Sequence, residues 1–254
     1  TTDTYNTAVG YTAGAAVTTG TNNTLIGGLA GDALTTGFSN VAVGVNALGA
    51  EDTGRKNVAI GYAALSTQNN DADTFNTAVG YDAGKAITTG VYNVIIGGLA
   101  GDAMTNADFN VAIGKGALSA ETRGNSSIGI GESALANQNF TTDVAAKNVA
   151  IGQSAGGSVT TGIENTLIGG ASGDALTDAD YNVAVGKDSL TAMTLGSRNV
   201  GVGTFALMSA NVTTAANTYN TAVGHHAGAN VTTGTLNTLI GGDAGDALTG
   251  ADKN

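Results

Sequence analysis

Several residue types that shape most folds are missing from this chain of 254 residues. It contains no cysteine, no proline and no tryptophan, and only nine of its residues are Lys or Arg. The absence of cysteine excludes disulfides and thiolate metal sites. The few basic residues do not cluster and the net charge is -11, which argues against nucleic acid as a partner. No apolar run reaches the ~18 residues of a membrane-spanning helix, so we expect no membrane insertion.

Glycine, by contrast, is abundant, at 40 of 254 residues. Without proline and without a strict three-residue period, this glycine content excludes a collagen-like chain. The apolar residues are mostly small or β-branched, and Val and Ile recur at regular spacing. Regular recurrence argues against disorder and predicts an ordered chain with a thin core.

A five-residue unit repeats along the whole chain: Asn, then Thr or Val, a small or aliphatic residue, Val or Ile, and Gly. It begins, for example, at Asn6 (NTAVG) and at Asn57 (NVAIG). One unit, SIGIG, begins with Ser127 in place of Asn. Successive units start 17 residues apart, and every fourth spacing is lengthened to 19 or 21 residues. The chain, residues 1–254, is therefore predicted to be a single repeat domain. Its four-unit blocks are residues 6–75, 76–147, 148–219 and an incomplete 220–254.

The unit predicts a stacked β-structure. Thr or Val and Val or Ile stand two residues apart, which is the period of a strand, and Gly follows at once in all fourteen units. A second short segment ends in a Thr-Gly turn, so we expect two short strands and two tight turns per unit. No unit can bury its apolar face alone, whereas stacked units can. The sequence predicts an all-β, parallel β-solenoid (a β-roll) of about fourteen 17-residue coils with a four-coil superperiod.

We interpret the repeated Asn as structural, with stacked side-chain amides bonding from coil to coil. The predicted ladder consists of Asn6, Asn23, Asn40, Asn57, Asn76, Asn93, Asn110, Asn148, Asn165, Asn182, Asn199, Asn220 and Asn237.

The motifs NVAIG, NTAVG and NVAVG, followed by Ala-Leu or Ala-Gly, resemble the head repeats of trimeric autotransporter adhesins (YadA-like). They are also similar to repeats of bacteriophage tail-fibre proteins. The resemblance implies a left-handed β-roll that assembles as a homotrimer outside the cell, on the cell surface or on a virion. It implies adhesion or receptor binding without catalysis. The chain departs from those heads in its longer coil and its four-coil superperiod.

The extra residues of every fourth coil are the candidates for recognition, because insertions in solenoids form loops on one face. They lie in 66–75, 136–147 and 208–219, and their amide, hydroxyl and aromatic side chains suit a receptor or glycan. Spacers or trimer contacts are the alternative interpretation. The candidate binding residues are Gln68, Asn69, Asn70, Asp71, Gln138, Asn139, Phe140, Asn211, Thr213 and Thr214.

Two further functions stay open as alternatives to a structural or adhesive fibre. Calcium could bind between Asp residues six positions apart, although capping of their own turns explains them more simply. These candidates are Asp102, Asp108, Asp174, Asp180, Asp246 and Asp252. Ice binding is suggested by Thr-Thr-Gly turns, which are not repeated in every coil. We expect no resident cofactor.

Two side-chain orientations are predicted from the strand period. His225 and His226 are the only histidines, and as strand neighbours they would point to opposite faces and not share one ion. If Thr or Val and Val or Ile face the interior, Leu25, Ile95, Leu167 and Leu239 point outward as an apolar stripe. We expect that stripe at a homotrimer interface. No cluster of carboxylates or bases interrupts the repeat, so we expect no enzyme activity.

Overall fold

The computed structural model describes residues 4–212 and 214–254. The chain divides into two compact units: residues up to Asn125 with Thr141–Val144, and Ser126–Phe140 with Ala145–Asn254. The described residues contain strands and turns but no helix. They form about fourteen turns of a parallel β-solenoid at the predicted spacing, so the predicted all-β parallel β-solenoid is confirmed. Its handedness and its four-coil superperiod stay predictions.

The first unit contains seven three-residue strands, one in each turn. Each strand pairs in parallel with the strand of the following turn, with equivalent residues in register. The strands are β1 (Thr7–Val9), β2 (Thr24–Ile26), β3 (Val41–Val43), β4 (Val58–Ile60), β5 (Thr77–Val79), β6 (Val94–Ile96), β7 (Val111–Ile113) and the two-residue β8 (Gly124–Asn125).

The second unit repeats this arrangement with seven further three-residue strands, again parallel and in register. A two-residue strand, β10 (Val144–Ala145), stands at the boundary of the two units in the sequence. The strands of the second unit are β9 (Ile128–Ile130), β11 (Val149–Ile151), β12 (Thr166–Ile168), β13 (Val183–Val185), β14 (Gly196–Ser197), β15 (Val200–Val202), β16 (Ala216–Asn217), β17 (Thr221–Val223) and β18 (Thr238–Ile240).

Glycine ends every three-residue strand because the backbone there has φ between 127° and 143°, a region that residues with a Cβ rarely adopt. The neighbouring turn adds a second requirement. A Cβ at Gly97 would lie 2.6 Å from the carbonyl oxygen of Gly114 in the next turn. The invariant glycine therefore permits both the turn and the close stacking of successive coils.

The second segment of each coil is a run of turns, so the prediction of two strands per coil was wrong for most coils. Its backbone repeatedly enters the left-handed region, as at Ala63 (φ 52°) and Leu65 (φ 50°) in one coil. Left-handed residues cannot continue an extended strand. Among the described residues, only the two-residue strands β8, β10, β14 and β16 lie outside the main strands.

The middle residue of each strand faces the interior, and the flanking residues face outward. Leu25, Ile95 and Leu167 are at most 1% exposed and Leu239 is 7% exposed. The prediction that these four residues form an outward stripe was therefore wrong. The interior is the column of Ala, Leu, Ile and Gly, not the columns of Thr, Val and Ile.

The large core residues are accommodated by glycine in the opposite wall. The position eight residues after the ladder Asn is left-handed in every coil, and it holds either Gly or Leu. Leu25 spreads over two such glycines: a Cβ at Gly14 or at Gly31 would lie 2.7 or 2.8 Å from its methyl groups. Where the strand contributes Ala42 instead, the opposite wall contributes the buried Leu48. In every coil except the first of each block, one Leu or Ile from one wall or the other thus fills the layer. In the first coil of a block Ala faces Gly, as Ala78 faces Gly84, and side chains of the neighbouring coils, such as Ile95, extend over that glycine.

The outer face of the strands carries β-branched apolar residues. The third strand position is Val or Ile in all fourteen turns. Ile26, Ile60 and Ile96 in the first unit and Ile151 in the second are each 37–38% exposed. This column, which we call the outer Val/Ile column, is a regular apolar strip on the surface of each unit.

Candidate functional site

The ladder asparagines from Asn23 to Asn237 are buried, and most members of the ladder both accept and donate hydrogen bonds through their side chains. In most of them the Oδ1 atom accepts the backbone N–H of the residue that starts the next unit, as from Asn23 to Asn6 (2.8 Å) and from Asn165 to Asn148 (2.9 Å). In most of them the Nδ2 atom donates to the carbonyl fourteen residues later, as from Asn23 to Gly37 (2.9 Å). These bonds satisfy polar groups that would otherwise be buried without partners. The amide groups that make these bonds are therefore not available to a ligand.

The long turn of the first block changes the ladder locally. Oδ1 of Asn57 accepts two hydrogen bonds there. One comes from the hydroxyl of Thr74 (2.6 Å) and the other from the backbone N–H of Asn76 (3.2 Å). Nδ2 of Asn57, which is buried, has no hydrogen-bond partner among the described residues.

Gln68, predicted as a recognition residue, lies in the core instead. It is fully buried and donates to Oε2 of Glu51 (3.1 Å), while its Oε1 accepts from Asn76 (2.9 Å). Glu51 is also fully buried, and its Oε1 accepts the backbone N–H of Gly54 at 2.7 Å. Burial raises the pKa of Glu51 above its ordinary value of 4.5, although the hydrogen bonds from Gln68, Gly54 and Asn70 oppose the rise.

The long turn of the second block shows the same inward orientation. Gln138 is fully buried, and it contacts Ser127 at 3.1 Å and Asn148 at 2.8 Å. Phe140 is 7% exposed. Gln68, Gln138 and Phe140 are therefore buried and do not present side chains to a ligand. For the two glutamines the reason is their position, eleven residues after the first residue of their repeat unit (Asn57 and Ser127), which faces the core. In most coils that position holds an apolar residue, such as Ile87.

The other recognition candidates are exposed or half-buried. Asn69, Asp71, Asn139 and Thr214 are exposed, whereas Asn70 and Asn211 are half-buried. Thr213 lies outside the described residues. Several of these side chains are tied to neighbouring coils. Asn70 donates to the carbonyl of Thr89 (2.8 Å), Asp71 accepts from Thr53 (2.6 Å) and Asn211 accepts from Thr194 (2.7 Å).

An exposed aromatic stack adjoins the first long turn in the sequence, and the sequence reasoning did not identify it. The rings of Phe75, Tyr92 and Phe109 lie in three successive coils with centroids 5.2 and 5.0 Å apart. The ammonium group of Lys56 lies 4.8 Å from the centroid of Phe75. The available signal was the aromatic residue that directly precedes the ladder Asn in three consecutive units.

The second Asp of each calcium candidate pair caps the backbone of the preceding coil. Asp108 accepts from the N–H of Val91 (2.8 Å), Asp180 from that of Ile163 (2.9 Å) and Asp252 from that of Thr235 (2.6 Å). Partial burial raises the pKa of Asp108 and outweighs its bond from Val91, whereas the bonds from Thr235 lower the pKa of Asp252.

The first Asp of each pair has a less uniform setting. Burial raises the pKa of the half-buried Asp102, Asp174 accepts from the hydroxyl of Thr191, and Asp246 is exposed. Within residues 4–212 and 214–254, the groups of three or more candidate metal ligands include none of the six calcium candidates.

His225 and His226 lie in the turn after Gly224 and not in a strand, so the prediction that they point to opposite faces was wrong. Their rings stack with centroids 4.1 Å apart at an interplanar angle of 16°. Nδ1 of His226 lies 3.7 Å from Oδ1 of Asp243 in the next coil. Within the described part of the chain, these three residues are the group whose ligand atoms all lie within 4.8 Å of one another.

None of the described residues belongs to a helix with the length and hydropathy of a membrane span. Comparison of the chain with protein-family models, with curated proteins and with solved structures gives no significant match. The resemblance to adhesin heads and tail fibres stays a prediction from the repeat motifs.

Proposed function

We propose that the chain is a non-enzymatic structural segment of an extracellular fibre, of the kind found in cell-surface adhesins and phage tail fibres. The observation that carries the proposal is the outer Val/Ile column, a regular apolar strip on the surface. The rest of the chain is rich in internal hydrogen bonds. The polar side chains of the ladder are consumed by coil-to-coil bonds. The coil-to-coil bonds make the chain stiff, and the outer Val/Ile column lets it associate. The ladder side chains that make those bonds are not free to take part in catalysis.

The outer Val/Ile column supports self-association. Its residues recur at the ~4.8 Å spacing of paired strands. A second copy of the chain presents the same spacing, so β-branched side chains of two copies can interdigitate along the column. Self-association would also remove apolar surface from water, which stabilises by roughly 25 cal/mol per Å² of buried area. This gain would add to the limited stability that a thin core of mostly Ala and Leu provides. We propose a parallel homotrimer with the outer Val/Ile column at its interface.

Recognition then belongs to the surfaces that self-association leaves open. The exposed members of the long turns are Asn69, Asp71, Asn139 and Thr214. Amide and carboxylate groups hydrogen-bond well to hydroxyl-rich ligands. A host-surface receptor or a glycan is the partner that these side chains suit.

Sedimentation equilibrium of the purified chain tests the proposal. The expected mass is about three times the 24.7 kDa of one chain, at concentrations where the circular dichroism spectrum shows β-structure and no helix. A single-chain mass at high concentration would contradict self-association and would remove the main support for a fibre.

Ice binding is the second candidate, because Thr residues share the outer face of the strands. Thr7 and Thr24 are paired neighbours in β1 and β2. However, Val41 and Val58 occupy the same position in the next two strands, which interrupts the row of hydroxyl groups. The interruption favours a protein partner over ice. Thermal hysteresis of the solution would indicate ice binding, and its absence would favour the fibre. A large decrease in the melting temperature of the protein in excess EDTA would instead favour calcium binding.

A further inference from the structure

The second unit brings two imidazoles and a carboxylate to one place on its surface. His226 and Asp243 both stand six residues after a ladder Asn, in successive coils, and have almost equal φ angles of 56° and 55°. Their side chains therefore leave the backbone in the same direction, one coil apart. His225 precedes His226 and places its ring against it at 4.1 Å.

The distances match the requirements of a small cation. Two ligand atoms on a tetrahedral ion at 2.0–2.1 Å are separated by about 3.3 Å. Nδ1 of His226 and Oδ1 of Asp243 are 3.7 Å apart, and all three ligand atoms lie within 4.8 Å. Small side-chain rotations of these partly exposed groups bring them to coordination distance. Two nitrogen ligands and one oxygen ligand suit zinc, nickel or copper, whereas calcium and magnesium require oxygen ligands.

The surroundings restrict the motion of the three side chains. Phe205, at the same position one coil earlier, contacts both imidazoles edge-on, with centroid distances of 5.0 Å to His226 and 6.2 Å to His225. The backbone is fixed by hydrogen bonds from His226 N–H to the Thr204 carbonyl (3.0 Å) and from Asp243 N–H to the His225 carbonyl (2.9 Å). Side chains that are held in place before binding lose less entropy when they bind an ion.

The equivalent positions elsewhere in the chain do not offer this ligand set. They are Tyr11, Thr12 and Leu29 in the first block, Tyr81, Asp82 and Leu99 in the second, and Gln153, Ser154 and Ala171 in the third. We propose that His225, His226 and Asp243 form a surface site for a divalent transition-metal ion of the zinc class, with solvent completing the coordination. This site is independent of the proposed fibre function.

Isothermal titration of the full chain, prepared without a polyhistidine tag, tests the site with ZnCl₂. We expect one Zn²⁺ per chain and no corresponding binding of Ca²⁺ or Mg²⁺. Variants His226→Asn and Asp243→Asn should each weaken Zn²⁺ binding by about tenfold or more. Asn tolerates the left-handed backbone of both positions, and Asn46 already occupies the equivalent position of another coil (φ 58°). Both variants should therefore retain the β-type circular dichroism spectrum.

Asp252→Asn is the matched control, because Asp252 is an exposed carboxylate of the same unit outside the proposed site. It should bind Zn²⁺ as the original chain does. Absence of Zn²⁺ binding would overturn the proposal. Binding that His226→Asn and Asp243→Asn leave unchanged would also overturn it, since the ion would then be held elsewhere.

Discussion

Gly97 and Gly98 are sequence neighbours that differ in what an added methyl group would meet. At Gly97 the backbone has φ of 133°, and a Cβ would contact the carbonyl oxygen of Gly114 at 2.6 Å. At Gly98 nothing lies within 4 Å of the added atom. Gly97→Ala should therefore lower the free energy of unfolding by roughly 3 kcal/mol or more, from backbone strain and overpacking together.

Gly98→Ala is the control for this substitution and should change the free energy of unfolding by less than about 1 kcal/mol. Urea unfolding of both variants measures the difference. Equal effects of the two substitutions would show that the close approach of successive coils at Gly97 is not a requirement of the fold.

Glu51 is a fully buried carboxylate whose ionisation opposes folding. Burial raises its pKa above 4.5. Between that ordinary value and the raised value, the folded state therefore binds more protons than the unfolded state. The stabilising contribution is present at low pH and is lost as pH rises through the folded-state pKa. Glu51→Gln keeps the shape without the charge, so its stability relative to the original chain should increase from about pH 4 to about pH 8.

Urea unfolding of both proteins at the two pH values measures this change, and the hydrogen bonds that the substitution rearranges affect both values alike. Asp71→Asn is the control, because it removes an exposed carboxylate of the same unit with little change in shape. A Glu51→Gln difference that is independent of pH would mean that the buried carboxylate is not destabilised by its surroundings.

At the scale of the strand, two leucines of one coil test which residues face the interior. Leu25, in the middle of β2, is 1% exposed, whereas Leu29, in the following turn, is 37% exposed. Leu25→Ala should cost about 3 kcal/mol, because it leaves a cavity over Gly14 and Gly31. Leu29→Ala should cost less than about 1 kcal/mol, since Ala63 occupies the equivalent left-handed position of another coil. If the costs were reversed, the strand would face the other way.

The repeat predicted the strands, because a strand period recurs at fixed spacing and glycine closes each strand. It could not determine which face of the strand is buried. Alternation in TAV or VAI is compatible with either face, and the larger β-branched residues favoured the wrong one. The decisive signal is a second pattern, in which Gly31 in the opposite wall accompanies Leu25 and Leu48 accompanies Ala42. That pattern becomes meaningful only when the two walls are known to face each other.

The recognition candidates were only partly predictable for a similar reason. The composition of the long turns is polar, but Gln68 and Gln138 occupy a position that faces the core, where they bond to buried groups. A polar residue type therefore did not indicate exposure. For His225 and His226, the assumption of an extended strand led to the wrong relative orientation, because the left-handed turn after Gly224 places the rings side by side.

For the whole molecule, the correction of the strand face moves the proposed interface. Association through Leu25 or Ile95 is not possible while those side chains fill the core, so we place the proposed self-association on what the strands present outward. The outer Val/Ile column is the strip that recurs in every coil, and in the first unit Ile60 and Ile96 are among its exposed members. Charged side chains at those two positions would have to be desolvated at an interface, at a cost of several kcal/mol each.

The double variant Ile60→Lys, Ile96→Lys should therefore sediment as a single chain under conditions where the original chain sediments as about three. Asn69→Lys, which introduces the same charge at an exposed site of a long turn, should leave the assembly intact. Both proteins should keep the β-type circular dichroism spectrum, because Lys at a partly exposed strand position leaves the core unchanged. If the double variant still assembled, the interface would lie on another face. The exposed aromatic stack of Phe75, Tyr92 and Phe109 would then be the next surface to substitute.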